Sequence, residues 1–260
     1  MDKLQYTAEL IIASKNLVVL TGAGMSTESG LKDFRSKDGL ASGTYEGYYP
    51  EEILSRDFFY DKPALFYQYL KEKLNVSGYS PNKGHQILAD WEKKRQMTII
   101  TQNIDSFHQK AGSTQVIEVH GTLAQCTCTK CKMEKSLSQV LKEGYNCVCG
   151  GIYKPNIVLY DEEVTEIAKA FSVARAGDLL MVLGTSLRVY PAASIPEIYG
   201  LSQKKGIIIN RDETLYAHHY NVTEIHDGIG ASLLKINGFL KKIKKYGAVD
   251  QTAQVLDKED

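Results

Sequence analysis

The chain has 260 residues, of which 43% are hydrophobic and 24% charged, and both values are ordinary for a soluble globular protein. The 31 basic residues balance 31 acidic ones, so the net charge gives no support for a nucleic-acid or membrane-surface partner. The N-terminal segment has no long apolar core of the kind found in signal peptides, and no run approaches the roughly 18 apolar residues of a membrane span. We therefore expect a cytoplasmic protein that binds neither nucleic acid nor membranes.

Short apolar runs rich in Val and Ile alternate along the chain with amphipathic helical stretches. The strand candidates are Leu17–Leu20, Met97–Thr101, Val116–Val119, Ile157–Tyr160, Leu179–Leu183 and Gly206–Asn210. The clearest helices are residues 84–95 and 163–174, where apolar residues recur at helical spacing. Continuous apolar strands that alternate with helices predict an α/β fold, in which helices cover both faces of a parallel sheet.

Two segments interrupt this alternation. Residues 36–80 contain seven tyrosines and three phenylalanines but no clear strand, and we expect a mobile loop followed by a helical insertion. Residues 122–156 contain all five cysteines and predict a small zinc-binding module. The polar segment 246–260 at the end of the chain predicts a flexible tail.

A glycine-containing loop, TGAGMSTESGLKDFR, follows the first predicted strand. Gly22 and Gly24 fit the first half of a dinucleotide fingerprint, but Thr27 stands where the third glycine is expected and no second strand ends in an acidic residue about 20 positions later. The loop therefore does not predict an ordinary dehydrogenase, and phosphate binding and a plain tight turn both stay open. Asp33-Phe34-Arg35 either closes over a cofactor or begins a helix with an ordinary ion pair.

Polar residues follow two more of the predicted strands. TQNID (residues 101–105) ends one strand, and His120-Gly121 ends another. Ligands of such folds bind at the carboxyl ends of parallel strands, and histidine is the side chain suited to act as a base near neutral pH. A single histidine at a strand end is, however, more often a structural hydrogen-bonding group. The other histidines lack such a context, and we interpret them as structural or solvated: His85, His108, His218, His219 and His226.

The five cysteines lie within 24 residues. Cys128 and Cys131 form a C-x-x-C pair, whereas Cys147 and Cys149 form a C-x-C pair that is one residue shorter than the usual zinc spacing. We expect these four thiols to hold one structural zinc ion, with Cys126 left free or able to substitute for one of them. The alternative is a group of buried thiols without metal.

Taken together, these motifs resemble the sirtuins, a family of NAD-dependent protein deacylases. "GAGMSTESGLKDFR", "TQNID", "HG", the cysteine cluster, "KPNIVLYDE", "GTSLRVYPAA" and "IIIN" occur in the family's order, from about residue 5 to about residue 242. The resemblance implies a Rossmann-like NAD-binding domain from residues 1–35, 81–121 and 157–245. Residues 36–80 would form the cofactor loop and the helical part of a small domain, and residues 122–156 its zinc-binding module.

The resemblance also implies roles for individual residues. His120 would be the catalytic base, with Asn103 and Asp105 orienting the ribose and the nicotinamide amide. NAD would be bound by Gly22, Ala23, Gly24, Thr27, Asp33, Phe34, Arg35, Gln102, Asn103, Ile104, Asp105, Gly184, Thr185, Ser186, Asn210 and Asp227. Val158, Leu159 and Tyr160 would border a tunnel for the acyl-lysine, whose peptide would add as a strand between two loops.

The activity implied is protein-lysine deacetylation, in which NAD is consumed and nicotinamide and O-acetyl-ADP-ribose are released. Two positions depart from the family's pattern, because Lys32 replaces a usual proline and Asp161 a common glycine. Lys37 is the only basic residue between Arg35 and Arg56, so an acidic acyl group would lack a bidentate partner, and acetyl or longer apolar groups are favoured.

Three rival interpretations remain. The same site could transfer ADP-ribose to a protein, the chain could be a catalytically silent NAD-binding regulator, or the cysteine segment could be an interaction module. Intact Asn103, Asp105 and His120 favour the deacetylase. We expect a monomer whose partners are acylated-lysine proteins.

Overall fold

A computed structural model describes residues 2–33, 39 and 43–256, with the side chains described as far as residue 243. Its strands form two sheets. The strands are β1 (Leu17–Thr21), β2 (Met97–Thr101), β3 (Val116–Glu118), β4 (Gly121–Cys128), β5 (Glu134–Ser136), β6 (Tyr153–Ile157), β7 (Leu179–Leu183), β8 (Gly206–Ile209) and β9 (Val222–Ile225).

Ten α-helices and two short 3₁₀ helices connect these strands in the described part of the chain. The 3₁₀ helices are Ala23–Ser29 and Ala192–Ser194. The α-helices are α1 (Lys3–Ala13), α2 (Pro50–Ile53), α3 (Arg56–Asp61), α4 (Pro63–Lys73), α5 (Lys83–Glu92), α6 (Phe107–Lys110), α7 (Leu137–Glu143), α8 (Ile167–Ala176), α9 (Ile195–Tyr199) and α10 (Ile229–Leu256). Among the residues that the structure describes, no helix is both long and apolar enough to cross a membrane.

The larger sheet has six strands in the order β3-β2-β1-β7-β8-β9, and all neighbouring pairs are parallel. Numbered along the chain, this is the 3-2-1-4-5-6 order of a doubly wound dinucleotide-binding fold. The order reverses between β1 and β7, so a crevice opens at the carboxyl ends of these two strands. All five residues of β1 are buried, as expected for a central strand with helices on both faces.

Each face of this sheet carries its own hydrophobic core. Alternate residues of the strands, such as Val19 and Met181, pack against α1, α5 and α10 on one face. Their neighbours in sequence, such as Val18 and Val182, pack against α8 and α9 on the other. This alternation follows from the two-residue period of a strand, and it confirms the predicted parallel sheet with helices on both faces.

A smaller domain is built from the two segments that interrupt the alternation. The antiparallel sheet β5-β4-β6 and helix α7 come from the cysteine-containing segment, and helices α2, α3 and α4 come from the tyrosine-rich segment. The two parts share one core, in which Phe59, Phe66 and Tyr69 pack with Leu123 and Tyr153. Residues 36–80 thus contain helices, as predicted, and these helices form one compact unit with the predicted cysteine module.

Several features differ from the sequence-based description, among them strands β4 and β5, which were not predicted. The strand predicted at Ile157–Tyr160 is wrong, since β6 ends at Ile157 and pairs in the small sheet. Beyond it the backbone N–H of Val158 donates to His120 and that of Tyr160 donates to Leu54, so the chain leaves the ladder. The edge strand β9 was not predicted. Helix α10 extends to Leu256 and thus enters the segment expected to be a flexible tail.

Candidate functional site

The predicted site residues gather along the carboxyl edge of the six-stranded sheet. The glycine loop follows β1, Gln102 to Asp105 follow β2, and His120 follows β3. On the other side of β1, residues Gly184 to Ser186 follow β7. Parallel strands place all of these ends at one edge, next to the point where the strand order reverses.

The loops that follow β1 and β7 touch backbone to backbone. The N–H of Gly24 donates to the carbonyl of Gly184 at 2.8 Å, and the N–H of Gly22 donates to Leu183 at 3.0 Å. A Cβ on Gly24 would lie 2.7 Å from the Cα of Gly184, and one on Gly22 would lie 2.6 Å from the Cβ of Thr185. The two glycines are thus required for packing between the loops, a reason distinct from close approach to a phosphate, for which the sequence motif was first singled out.

Three buried polar side chains form the centre of the site. The hydroxyl of Ser26 donates to Oδ2 of Asp105 at 2.6 Å, and the amide of Asn103 donates to the Ser26 hydroxyl at 3.2 Å. Oδ1 of Asp105 accepts the backbone N–H of Phe107 at 2.8 Å and so begins helix α6. Burial raises the pKa of Asp105, while the bonds from Ser26 and Phe107 act in the opposite direction. Asn103 and Asp105 are thereby fixed in single orientations.

Threonines at the strand ends hold this centre from below. The Thr21 hydroxyl donates to that of Thr101 at 2.8 Å, and Thr101 also accepts the backbone N–H of Asn103 at 3.0 Å. The side chain of Gln102 donates to the Thr185 hydroxyl at 2.9 Å, which links the end of β2 to the end of β7. Three neighbouring strands therefore carry the site as one rigid unit.

His120 is partly buried and oriented by a backbone group. Its Nδ1 lies 3.0 Å from the carbonyl oxygen of Gln102, and since a carbonyl only accepts, Nδ1 carries the hydrogen. Burial lowers the pKa of His120, and the Gln102 carbonyl partly counters that shift. The ring is therefore neutral at pH 7, with its Nε2 lone pair free to accept a proton.

Gly121 makes the turn that places His120. Its φ is +73°, and an added Cβ would lie 2.0 Å from the carbonyl oxygen of Asn156. Only glycine fits this close crossing of β4 over the end of β6. The carbonyl of His120 itself accepts the N–H of Val158 at 2.9 Å, so the same crossing brings the histidine next to the predicted substrate segment.

That segment, residues 158–160, does not present all three side chains to one side. Leu159 is only 2% exposed and belongs to the core of the small domain, whereas Val158 is partly buried and Tyr160 is 39% exposed. Of the three side chains, only those of Val158 and Tyr160 are accessible, and the role of this segment in substrate binding stays a prediction. Glu162 fixes the turn, because its carboxylate accepts both the N–H of Leu159 and the ammonium of Lys154 at 2.9 Å.

The remaining predicted cofactor residues lie along the same edge. Asn210 follows β8 and Asp227 follows β9. The N–H of Gly184 donates to the carbonyl of Ile209 at 3.0 Å, and the N–H of Asn210 donates to that of Ile225 at 3.1 Å, so the ends of β7, β8 and β9 lie side by side. Asp33 forms an ion pair with Arg211 at 3.5 Å, which ties the base of the glycine loop to the loop after β8. Thr27 is exposed and donates to the Gly24 carbonyl at 2.9 Å. Phe34 and Arg35 lie outside the described residues.

The cysteine cluster fits a tetrahedral metal. The sulfurs of Cys128, Cys131, Cys147 and Cys149 all lie within 4.8 Å of one another, with Cys128 3.5 Å from Cys149 and Cys131 3.7 Å from Cys147. A tetrahedron with Zn–S bonds of about 2.3 Å has S–S edges of about 3.8 Å. The four sulfurs predicted from the sequence are the ones brought together, and the short C-x-C spacing does not prevent it.

Cys126 stands apart from this set. It is fully buried in the core of the small domain, next to Tyr67, and burial raises the pKa of its thiol to about 12. A thiol of this kind is an inert core residue, which agrees with the prediction that it is not a ligand.

The Sir2 family model matches residues 22–191, a range that includes the glycine loop, the ends of β2 and β3 and the cysteine cluster. The chain belongs to the Sir2 family. This is the family that the sequence motifs resemble, and the family and the fold predicted from the sequence are both confirmed.

Relatives and solved structures agree with this assignment. An NAD-dependent protein deacetylase of Oceanobacillus iheyensis is 41% identical over 228 residues, covering 86% of this chain and 95% of that protein. One of Fusobacterium nucleatum is 38% identical, with 94% of each covered. The solved structure described as Sir2 bound to acetylated peptide is 32% identical and superposes with a TM-score of 0.80, covering 91% of this chain and 99% of that one.

Sequence reasoning missed three residues that organise the site. Ser26 bridges Asn103 and Asp105, and the Lys154–Glu162 pair holds the turn after β6. The role of Ser26 could have been predicted from the sequence, because it is a polar residue two positions after Gly24, in a loop whose glycines serve packing. The ion pair spans eight residues across a strand end, a spacing that no regular period predicts.

Proposed function

We propose that this protein is an NAD-dependent protein-lysine deacetylase that consumes NAD and releases nicotinamide and O-acetyl-ADP-ribose. The observation that carries the proposal is the buried Ser26–Asn103–Asp105 cluster, joined through the Gln102 backbone to His120. These groups occupy adjacent strand ends in a chain of the Sir2 family, whose relatives named above are NAD-dependent protein deacetylases.

His120 acts as the general base. Its neutral ring donates from Nδ1 to the Gln102 carbonyl, so Nε2 is the atom that accepts a proton from a substrate hydroxyl. When the ring becomes protonated, the same carbonyl stabilises the charge that forms on it. The fixed tautomer therefore both exposes the basic nitrogen and supports its protonated state.

Asn103 and Asp105 position the substrate. The amide N–H of Asn103 donates to Ser26, which holds the amide in one orientation. Its oxygen is then left to accept a hydrogen bond from a ligand. Asp105 is held by Ser26 and Phe107 and offers a carboxylate in a site where water is largely excluded. Such preorganised groups stabilise a transition state without reorganisation during the reaction.

The residues present fit NAD. Polar side chains that suit amide, ribose and phosphate groups follow one another from Asn103 across Thr185 to Asn210, along a crevice at the switch point of a doubly wound sheet. When bound, NAD would supply a ribose carbon that carries nicotinamide as a leaving group. The protein's own part is to bind, to orient and to remove a proton.

The acyl-lysine would approach past Val158 and Tyr160, whose side chains, unlike that of Leu159, are not part of the small-domain core. Zinc at Cys128, Cys131, Cys147 and Cys149 is structural, since all four ligands come from the protein and no coordination position is left for a substrate.

We further propose that the protein acts as a cytoplasmic monomer on acylated-lysine proteins. We also propose that it binds neither nucleic acid nor membranes, which the balanced charge of 31 basic and 31 acidic residues supports.

Mass spectrometry of the protein mixed with NAD and an acetyl-lysine peptide tests the proposal. We expect loss of the acetyl group, with nicotinamide and acetyl-ADP-ribose as products, for the unchanged protein and for the control His218→Ala, whose side chain is 93% exposed. His120→Ala should lose at least about 100-fold in rate. ADP-ribose attached to protein without deacylation, or turnover only with longer acyl peptides, would replace the proposal by one of its alternatives.

A further inference from the structure

Two buried histidines lie beneath the site without a role in the chemistry described above. His85 is on helix α5 and His108 on helix α6, and both are at most 1% exposed. Their ring centroids are 4.8 Å apart, with an interplanar angle of 59°. From the sequence alone both were interpreted as merely structural or solvated.

The hydrogen-bond partner of His85 fixes its tautomer. Nδ1 of His85 accepts the backbone N–H of Asn82 at 3.2 Å, so this nitrogen is unprotonated. Burial lowers the pKa of His85 to about 4, and the ring is neutral at pH 7. The single hydrogen of the ring is therefore on Nε2, a buried atom without a hydrogen-bond partner among the described residues.

His108 has the same tautomer, but its unpaired nitrogen is an acceptor instead of a donor. Its Nε2 lies 3.1 Å from the Thr21 hydroxyl, whose own hydrogen is donated to Thr101, so Nε2 of His108 must be the donor. Burial lowers the pKa of this ring to about 3, which keeps it neutral. Its Nδ1 is thus an unprotonated acceptor, and it too is buried without a partner among the described residues.

The two unpaired nitrogens are complementary, because His85 presents an N–H and His108 presents a lone pair. Two buried polar groups left apart would each cost free energy, whereas joining them satisfies both. The ring separation allows a bond either directly after a small rotation or through one water molecule.

Both ends of the chain completed in this way reach the site. At one end the Asn82 side chain donates to the carbonyl of Met25 at 2.8 Å, directly before Ser26. At the other end Thr101 accepts the N–H of Asn103 at 3.0 Å. Ser26 and Asn103 are hydrogen-bonded to each other above, so the polar chain closes into a ring around the base of the site.

We propose that His85 and His108 are positioning residues, joined to each other by a hydrogen bond made directly or through one water, and that they set the spacing between the loops that carry Ser26 and Asn103. Only the expected effect on NAD kinetics rests on the proposed function. The two histidines touch neither substrate nor NAD, and they act through Asn82, Thr21 and Thr101.

A pair of His108 variants separates positioning from simple packing. His108→Gln keeps an N–H where Nε2 lies and can still donate to Thr21, whereas His108→Leu fills similar space without a donor. We expect His108→Leu to raise the KM and the Kd for NAD roughly fivefold to tenfold, the effect of one lost hydrogen bond, while the KM for the peptide stays unchanged. His108→Gln should recover only part of the loss, since it keeps the bond to Thr21 but has no acceptor in the place of Nδ1. Thermal melting of both variants verifies that they are folded.

Equal behaviour of the Gln and Leu variants, or an unchanged NAD affinity in a folded His108→Leu protein, would overturn the proposal. A second measurement does not depend on turnover: ¹⁵N NMR of the histidine rings of the unliganded protein between about pH 5 and 8. We expect both rings neutral, with hydrogen on Nε2 and none on Nδ1. A hydrogen on Nδ1 of either ring would contradict the chain even if the protein proved inactive, so this failure is distinct from failure of the proposed deacetylase activity.

Discussion

His120 shows how a single backbone contact decides the chemistry of a side chain. The Gln102 carbonyl takes the hydrogen of Nδ1 and leaves Nε2 basic, while burial keeps the ring neutral. Both effects depend on the end of β2 lying beside the end of β3, and neither can be read from the dipeptide His120-Gly121.

The pH dependence of the reaction follows from this environment. Because burial lowers the pKa of His120, the basic form persists below the ordinary histidine value of 6.5. With NAD saturating, kcat/KM for the peptide should therefore be flat from pH 7 to 8 and fall only as pH drops below about 6.5. An acidic limb with its midpoint above 6.5 would be inconsistent with a buried, neutral base.

At the residue scale the sequence predicted the residues of the proposed chemistry but not the residues that support them. Asn103, Asp105 and His120 were predicted because their motifs resemble a family. Ser26, Thr21 and the two buried histidines were not, since each matters through a partner that lies 77 to 87 residues away in the chain or on another helix.

The elements place these residues through close crossings, and Gly121 is the tightest. Gly121→Ala should lose at least about 3 kcal/mol of folding free energy, since the new Cβ would overlap the Asn156 carbonyl and the residue has φ +73°. Gly112→Ala is the matched control, with φ +102° but no atom within 4 Å, and it should lose only about 1 kcal/mol. Denaturant unfolding measures both, and equal losses would show that the crossing is not the cause.

We expect the fold of the small domain to depend on a bound metal ion. We expect about one zinc ion per chain, and chelation should remove hydrogen-exchange protection from β4, β5 and β6 while β1, β2 and β7 stay protected. Cys149→Ser should lower the metal content, whereas Cys126→Ala should retain it, because Cys126 is not among the four close sulfurs. Full zinc occupancy in Cys149→Ser would refute the assigned ligand set.

Strands were predictable where they are continuous apolar runs, as most strands of the large sheet are. β1 and β7 are continuous apolar runs, and their bounds differ from the prediction by one residue at most. β9 reads Val-Thr-Glu-Ile, a short edge strand with polar residues, and gives no such run. The segment 157–160 is as apolar as a strand, but its N–H groups bond to His120 and Leu54 instead of to a neighbouring strand.

On the scale of the whole molecule, the site lies at the edge shared by the sheet and the small domain. The sequence predicted both parts, since each has its own composition. The resemblance also implied that the two segments belong to one small domain, but not which residues form its core, because Phe59 and Tyr153 are packed together only by the fold.

The free energy of unfolding of the whole protein should depend on pH because of the buried histidine pair. The folded pKa values, about 4 for His85 and about 3 for His108, lie below the unfolded value of 6.5. Between these values the unfolded chain binds more protons, so the free energy of unfolding falls as pH decreases from 6.5 towards 4, by up to about 1.4 kcal/mol per pH unit for each histidine. His108→Gln should flatten this dependence, as measured by denaturant unfolding, and an unchanged slope would mean that the ring is not buried neutral.

The most direct test of the central claim, that NAD is a reactant and not a hydride carrier, is the stoichiometry of a single reaction. Nicotinamide, deacetylated peptide and acetyl-ADP-ribose are quantified together by mass spectrometry while absorbance reports any NADH. We predict equal amounts of the three products and no NADH. Deacetylated peptide formed without matching nicotinamide, or NADH in proportion to turnover, would contradict the account.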